Sequence, residues 1–365
     1  MLVTFAHFCF GTSGGKWPEP NWRRAMTSRR EHGGNSDQAA AHFGHDANDM
    51  LDLSTGISPR AYPAADVTAQ SWNQLPSHSQ LDSCLAAARR AYDVPEQLGI
   101  MAGAGTQSLL QFIPSLLPRG GTVWIDEPTY NEHRPAWEAA GHQAITGDAN
   151  SGKAQSAVIV APNNPTGKFA PDMIMATAKQ TATTGGILLI DGSFATPEAA
   201  DPAAGDLLAA LAAFPHVVHL RSFGKFFGMA GLRLGFAIGG AAHIDQLQRC
   251  VGPWAVSSVA LDIGSTALND TAWQAQHGQF LHQQTEQLQM VLTRANLTIL
   301  GGTTLFQTIQ NSKAHHLHNH LAKAAIWTRK FAQMPDLLRF GLPANATDFA
   351  RLLESLKNWR QETNQ

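Results

Sequence analysis

Short apolar runs alternate with segments of helical spacing through the middle of the chain. The runs that we predict to be strands are 122–125, 157–160, 186–190 and 217–220. Between and before them lie segments typical of helices, such as 81–93 and 131–140. Continuous apolar strands are typical of sheets that are buried on both faces. The pattern therefore predicts an α/β fold with a mostly parallel central sheet and crossover helices.

The C-terminal part has a different pattern. A long helical tract runs through Leu281, Leu288 and Leu292, and short strands are predicted near 297–300 and 304–309. This mixture indicates a small α+β domain. The predicted division of the chain is an extension over 1–28, an N-terminal arm over 29–75, a large domain over 76–255 and a small domain over 256–365. Residues 1–28 lack the features of a secretory signal, so we interpret them as a disordered extension or as residues upstream of a true start at Met26.

Composition and charge narrow the possible functions. A chain of 365 residues with 44% hydrophobic and 15% charged residues is typical of a globular protein. A formal net charge of -2 gives no overall field that would attract nucleic acid or an anionic membrane. No run of about 18 apolar residues predicts a membrane span. The three cysteines, Cys9, Cys84 and Cys250, are too scattered for a disulfide framework, which favours a reducing cytoplasm.

Lys225 is the first candidate for chemistry. It follows the predicted strand 217–220 and is flanked by Gly224 and Phe226. Burial disfavours a charged amine, so the pKa of Lys225 should be low enough for the amine to form a Schiff base. Arg233, further along the chain, is a permanent cation that suits a phosphate. Together they suggest pyridoxal phosphate as the cofactor.

Asp191 supplies the third group that this cofactor needs. The pyridine nitrogen of pyridoxal phosphate requires an anionic partner, because the protonated ring accepts electrons from the substrate. Asp191 closes the predicted strand 186–190, so its carboxylate should emerge at the carboxyl end of the sheet, where ligands bind. Each residue taken alone also fits an ordinary structural role, and the prediction depends on their convergence.

Several loops add further candidates. Gly105 and Thr106 stand at a predicted strand-to-helix turn, where Ser222 and Arg233 could join them around one phosphate. In the turn 161–167, with sequence APNNPTG, Asn164 is free to hydrogen-bond the phenolic oxygen of the cofactor. The glycine-rich loops HGGN at 32–35 and DLSTGISP at 52–59 can approach an anion closely, although simple surface loops remain an alternative.

In their order and spacing, APNNPTG, Asp191, SFGK at 222–225 and Arg233 resemble the fold-type I pyridoxal-phosphate enzymes of the aminotransferase class I/II group. The resemblance implies that Lys225 forms the Schiff base, that Asp191 binds the pyridine nitrogen and that Asn164 binds the phenolic oxygen. It implies that Tyr130 packs over the ring. The implied phosphate-binding residues are Gly105, Thr106, Ser222 and Arg233. A homodimer is also implied.

Within this group the chain is similar to L-threonine-O-3-phosphate decarboxylases of cobalamin biosynthesis, through HGGN, DLSTGISP and LRFGLP at 338–343. The resemblance implies that Arg339 binds the carboxylate of a small phosphorylated amino acid. The residues implied near the substrate phosphate are His32, Asn35, Gly56 and Arg329, and Asn164 is also expected beside the substrate. The expected product is (R)-1-aminopropan-2-yl phosphate. The alternative function is that of an aminotransferase such as one acting on histidinol phosphate.

Two features depart from these expectations or compete with them. The sequence after Asp191 is Gly192-Ser193-Phe194, where the group often has an acidic residue directly after the aspartate. His315, His316, His318 and His320 suggest a metal site, but no carboxylate or cysteine accompanies them. We therefore predict a solvated helix face over Lys313 to Lys323 and no metal. A pyridoxal-binding transcriptional regulator would need a DNA-binding domain, and the sequence shows no suitable basic cluster.

Overall fold

A seven-stranded sheet forms the centre of the structure, a computed structural model that describes residues 32–147, 154–197, 199–200 and 205–363. The prediction for residues 1–28 lies outside the described residues. The strands of this sheet are β2 (Leu98–Gly103), β3 (Thr122–Ile125), β4 (Gln143–Ile145), β5 (Ser156–Val160), β6 (Leu188–Gly192), β7 (Val217–Ser222) and β8 (Gly235–Gly240). They lie side by side in the order β2-β8-β7-β6-β5-β3-β4. Only β8 runs against its neighbours, and every other pairing is parallel.

Helices cover both faces of this sheet, which explains why β5 and β6 are buried along their whole length. Alternate residues of β5 point to opposite faces, where Val158 and Ile159 belong to two separate apolar clusters. The helices of this part are α3 (His78–Ala91), α4 (Thr106–Phe112), α5 (His133–Ala139), α6 (Pro171–Thr184), α7 (Gly205–Leu211), α8 (Phe223–Phe226) and α9 (Ala241–Val251). One cluster includes residues of α4, α5 and α9, and the other includes residues of α6 and α7.

A smaller antiparallel sheet lies in the C-terminal part. Its strands are β9 (Thr298–Thr303), β10 (Phe306–Gln310), β12 (Arg329–Lys330) and β13 (Leu337–Gly341), in the spatial order β12-β13-β10-β9. The N-terminal residues join this part through β1 (Leu51–Asp52), which pairs in parallel with β11 (Ile326–Trp327). The remaining helices are α1 (Ser36–Phe43), α2 (Ala69–Asn73), α10 (Ser258–Asn269), α11 (Thr271–Arg294), α12 (Ala314–Lys323) and α13 (Ala346–Thr363).

The predicted fold class is confirmed: the central sheet is mostly parallel, and a small antiparallel sheet follows it. Element bounds differ by a few residues. The strand predicted over 217–220 continues to Ser222, and Lys225 lies in the short helix α8. The helix predicted over 131–140 is shorter, because a turn from Tyr130 precedes it. None of the described helices is long and apolar enough to cross a membrane.

Candidate active site

The predicted cofactor residues lie at one edge of the seven-stranded sheet. Strands β5, β6 and β7 are parallel, so their carboxyl ends share this edge, and the antiparallel β8 begins there. Strand β2 is antiparallel to β8, so it also ends there. The residues at or just beyond these strand ends are Gly105, Thr106, Asn164, Asp191, Ser222, Lys225 and Arg233. The topology therefore gathers residues that are far apart in the sequence.

Asp191 is buried and surrounded by hydrogen-bond donors. Its Oδ2 accepts a bond of 3.0 Å from Nε2 of His133, and its Oδ1 accepts from the backbone N–H (3.0 Å) and the hydroxyl (2.5 Å) of Ser193. Burial by itself would raise the pKa of the Asp191 carboxyl, but His133 and Ser193 outweigh it and lower the pKa below its ordinary value. Asp191 is thus held as an anion, as a protonated pyridine nitrogen requires.

Lys225 is a half-buried residue whose amine has a lowered pKa. Its Nζ lies 4.7 Å from the centroid of the Phe194 ring, within the range of a cation–π interaction. Burial lowers the pKa of Lys225 to about 8; the charge of Arg339 adds to this effect, that of Asp191 opposes it and that of Arg233 adds to it. The amine can therefore gain and lose its proton near neutral pH.

The backbone of Gly105 packs directly against the guanidinium of Arg233. The backbone of Gly105 has φ 79°, and a Cβ at this position would lie 2.6 Å from Nη2 of Arg233. Only glycine permits this approach. Nη1 of Arg233 donates to the carbonyl of Ala230 at 3.0 Å, and Oγ1 of Thr106 lies 3.2 Å from Oγ of Ser193. A guanidinium, a hydroxyl and an open backbone together suit a phosphate.

Arg339 connects the small sheet with the turn 161–167. Its Nη1 donates to Oδ1 of Asn164 at 2.5 Å, and its Nη2 donates to the carbonyl of Ser54 at 2.8 Å. The guanidinium also lies 4.9 Å from the centroid of the Phe306 ring. Within the described part of the chain, the buried Nε of Arg339 has no hydrogen-bond partner. A donor is therefore left over beside the Lys225 site.

Arg329 lies directly opposite Arg339 in the antiparallel pair β12–β13. Residues in such register share one face of the sheet, and like charges placed there repel. Burial and then the charge of Arg329 lower the pKa of Arg339 to about 9, while the charge of Asp52 opposes the shift. Two adjacent guanidinium groups, of which Arg339 has a lowered pKa, are typical of a site that binds anions.

The N-terminal arm approaches the same region at Gly56. A Cβ on Gly56 would lie 2.5 Å from Cε1 of Phe194, the residue whose ring contacts Lys225, so a larger residue would displace that ring. Nearby, the backbone N–H of Gly34 donates to Oγ of Ser54 at 2.7 Å. The loop 33–35 is thus attached to the residue that also binds Arg339.

Asn35 and His32 are exposed residues near the start of the described chain. Asn35 is exposed, has φ 55° and precedes α1. His32 is exposed and precedes the compact unit that begins at Gly33. Their roles toward a substrate phosphate therefore stay predictions.

The sequence patterns did not predict a role at the site for His133, Ser193 or Phe194. His133 follows Tyr130 by three positions and enters the site from the first turn of α5. A signal for Ser193 was its place two residues after Asp191, which favours a local side-chain to backbone turn. Phe194 gave no signal. Tyr130 lies nearby: its hydroxyl donates to Oε1 of Gln107 at 3.0 Å, and its ring meets that of His133 edge-on.

Three of the four histidines of α12 make structural contacts. His318 is buried and hydrogen-bonds Thr328, so the predicted solvated face is wrong at this position, because the helix turns His318 into the core. Nε2 of His320 lies 2.9 Å from the carbonyl of Ser355, and Nε2 of His315 lies 3.3 Å from that of Phe331. No group of three or more potential metal ligands occurs within the residues described.

Comparisons with known proteins match most of the chain. The profile of the family "Aminotransferase class I and II" matches residues 46–356. Threonine-phosphate decarboxylase from Pseudomonas aeruginosa is 36% identical over 339 residues, which cover 91% of this chain and 98% of that protein. The protein of the same name from Sinorhizobium sp is 36% identical over 341 residues, with the same coverage of 91% and 98%.

A solved structure supports the fold. Histidinol-phosphate aminotransferase from Sinorhizobium meliloti, in complex with pyridoxal-5'-phosphate, has a TM-score of 0.78 and 16% identity, covering 93% of this chain and 97% of that one. At this identity the likeness concerns the fold alone. The family resemblance seen in the sequence is confirmed by the profile and by the full-length relatives. The chain belongs to the aminotransferase class I and II family.

Proposed function

We propose that this protein is a pyridoxal-phosphate-dependent threonine-phosphate decarboxylase. It would convert L-threonine O-3-phosphate and a proton into (R)-1-aminopropan-2-yl phosphate and CO₂. The observation that carries the proposal is the opposed pair Arg329 and Arg339, of which Arg339 lies close enough to Lys225 to lower the pKa of its amine. A substrate with an anion at each end needs two cations, and relatives named for this activity match almost the whole chain.

The residues at the sheet edge fit pyridoxal 5'-phosphate. The close approach of Gly105 to Arg233 would provide a place for the phosphate. The adjacent Thr106 would contribute, as would Ser222, whose partner in the sheet, Gly235, packs against Thr106. The anionic Asp191 would bind the ring nitrogen, Asn164 the phenolic oxygen, and Tyr130 would pack over the ring. When bound, the cofactor supplies an electron-accepting ring that stabilises negative charge at the substrate α carbon.

The protein's own residues would then determine which groups at the site carry a proton. His133 and Ser193 keep Asp191 ionised, so the carboxylate can retain a proton on the ring nitrogen opposite it. Nζ of Lys225, with a pKa of about 8, can give up a proton when it reacts and deliver one to the α carbon after CO₂ has left. The ring of Phe194 would shield one side of this amine from water.

Substrate orientation would be set by the arginine pair. Arg339 would bind the carboxylate through its remaining donors, while Arg329, His32 and Asn35 would bind the substrate phosphate, with Gly56 close by. Only the bond held perpendicular to the cofactor ring is weakened by it. An Arg339 that holds the carboxylate out of the plane of the ring would favour loss of CO₂, whereas an α C–H bond held out of that plane would give transamination.

We also propose a homodimer. Large apolar side chains are exposed at Trp72 (69%), Leu75 (65%) and Trp254 (63%), and a hydrogen bond from Ser258 to the carbonyl of Gln74 ties the first two near the third. Such an exposed patch favours a protein contact. Trp72→Glu with Trp254→Glu should therefore halve the mass measured by light scattering, and an unchanged mass would contradict this interface.

The setting in the cell follows from the proposed reaction. The product is the aminopropanol phosphate of cobalamin biosynthesis, so we place the enzyme in that pathway. Cys84 and Cys250 are free thiols, which favours the cytoplasm. The division into an arm over 29–75, a large cofactor-binding domain over 76–255 and a small domain over 256–365 also remains a proposal.

A direct assay separates the proposed activity from its alternative. The purified holoenzyme is incubated with L-threonine O-3-phosphate, and CO₂ release is measured beside keto-acid formation with 2-oxoglutarate present. Stoichiometric CO₂ and aminopropyl phosphate are expected. Keto acid without CO₂, or turnover with histidinol phosphate in its place, would instead identify an aminotransferase.

A further inference from the structure

The turn that carries Lys225 is held by groups from other parts of the chain. Helix α8 has only four residues, so it makes few hydrogen bonds of its own. Three successive carbonyls starting at the reactive lysine accept outside donors: Lys225 from the N–H of Ser58 (2.9 Å), Phe226 from Nε2 of His277 (3.1 Å) and Phe227 from the N–H of Tyr62 (2.9 Å). His277 provides the side chain among these three donors.

The hydrogen bonds of His277 define its tautomer. A carbonyl can only accept, so the Nε2 that contacts Phe226 carries the proton. The same Nε2 lies 3.0 Å from Oγ of Ser58, whose backbone N–H binds Lys225. Nδ1 is buried and has no partner among the described residues, as expected for an unprotonated nitrogen. Burial lowers the pKa of His277 to about 4; the Phe226 carbonyl opposes the shift, and the charge of Arg60 adds to it.

The imidazole ring has little room to move. It stacks on Trp273 at 4.2 Å between centroids, meets Phe226 edge-on at 5.0 Å and lies 5.6 Å from the ring of Phe280. The start of α11 is attached to the arm as well, since Oδ2 of Asp270 accepts from the hydroxyl of Tyr62 at 3.1 Å. Helix α11 therefore presents His277 to the lysine turn from a fixed position.

We propose that His277 is a positioning residue for Lys225: its Nε2–H fixes the carbonyl of Phe226 and the hydroxyl of Ser58, and thereby the direction in which the lysine side chain leaves its turn. This inference rests on the proposed role of Lys225 toward pyridoxal phosphate. Without the donor, the Phe226 carbonyl is buried and unpaired, and the turn relaxes. Nζ of Lys225 then shifts relative to Phe194 and Asp191.

The test uses the holoenzyme and three variants: His277→Leu removes the donor, His277→Gln places an amide N–H near the same position, and His277→Asn is too short to reach. His282→Leu, at an exposed position of the same helix, is the matched control. The measurements are the pH titration of the visible absorbance of the bound cofactor, the rate at which apoenzyme captures pyridoxal phosphate, and thermal unfolding.

We expect His277→Leu to slow cofactor capture by about tenfold, the effect of one lost buried hydrogen bond, and to displace the absorbance titration. His277→Gln and His282→Leu should behave like wild type. A wild-type titration and capture rate for a folded His277→Leu variant would overturn the inference. Should that variant not fold, Gln and Asn decide: recovery by Gln alone supports the role, and equal behaviour of the two contradicts it.

A separate result would identify a failure of the proposed function itself. If wild-type protein mixed with pyridoxal phosphate develops no visible absorbance, or if Lys225→Ala retains it, then Lys225 does not bind the cofactor and both proposals fail. If the wild-type and Lys225→Ala spectra are as expected, but the His277 variants titrate and capture the cofactor like wild type, the positioning role alone is refuted.

Discussion

The surroundings of Asp191 and the pair Arg329 and Arg339 are two charged regions that differ in how their charges are compensated. Around Asp191, the protein supplies its own partners, because His133 and Ser193 donate to both carboxylate oxygens. At the opposed pair Arg329 and Arg339, like charges lie side by side and a buried donor of Arg339 is left over among the described residues. The first arrangement fixes a group in one protonation state before any ligand arrives. The second places two guanidinium groups on one face of the sheet, so an anion bound there would gain two charged partners.

The largest effect is expected at Lys225, which belongs to the first region. Lys225→Ala should abolish the visible absorbance that marks the covalent link to the cofactor and reduce kcat by roughly 10⁴-fold or more, as for other essential groups. Absorbance spectroscopy and the CO₂ assay measure both. Retention of the yellow species in a folded variant would contradict the assignment.

Arg339 tests the second region. Arg339→Ala should lower kcat/KM by the factor that corresponds to a loss of about 2–5 kcal/mol in transition-state stabilisation, because the substrate anion would lose its charged partner. Arg339→Lys keeps the charge but not the planar fork, so it should recover only part of the loss. Steady-state kinetics with threonine phosphate make the comparison. Wild-type kinetics for Arg339→Ala would place the carboxylate elsewhere.

Lys225 should also make the stability of the apoprotein depend on pH. Its pKa of about 8 in the folded protein lies below the ordinary 10.5, so between these values the unfolded chain binds more protons and stability rises with pH. Below pH 8, Lys225→Met should be more stable than wild type by at most about 3 to 4 kcal/mol, because the pKa differs by about 2.5 units at roughly 1.4 kcal/mol per unit.

That stability difference should disappear as the pH approaches 10.5. Urea unfolding at intervals from pH 7.5 to 10.5 measures it, and Lys357→Met, whose side chain is 60% exposed, is the control. A difference that stays constant over this range would show that the Lys225 amine does not titrate at an unusual pH.

The smallest effect is expected from relieving the repulsion between the arginines. Without substrate, Arg329→Gln should raise the free energy of unfolding by about 0.5 kcal/mol, because like charges directly opposite in a sheet destabilise it. Lys330→Gln, the next residue in the same strand, is the matched control. Added threonine phosphate should stabilise wild type more than Arg329→Gln. Equal stabilisation of both proteins by the ligand would show that the arginine pair, like Asp191, does not depend on a bound anion.

The positions of the main cofactor candidates were predictable because each lies at or just after the end of a buried strand that begins with apolar residues. Asp191 and Lys225 could be placed at one sheet edge from this pattern alone, since parallel strands end at the same edge. The contacts that tune them were less visible. His133 and Phe194 show no periodicity or motif that marks them, and they matter only because α5 and the turn after β6 bring them to the site.

The sequence by itself determined the alternation of strands and helices, the order of the motifs and the family, because these depend on local patterns of apolar residues and on short runs of residue types. Only the tertiary structure decided which charges lie next to each other. The register of β12 against β13 sets Arg329 opposite Arg339, and the packing of α11 presents His277 to the lysine turn. Long-range register and packing depend on the sum of many weak contacts, so no single stretch of sequence records them.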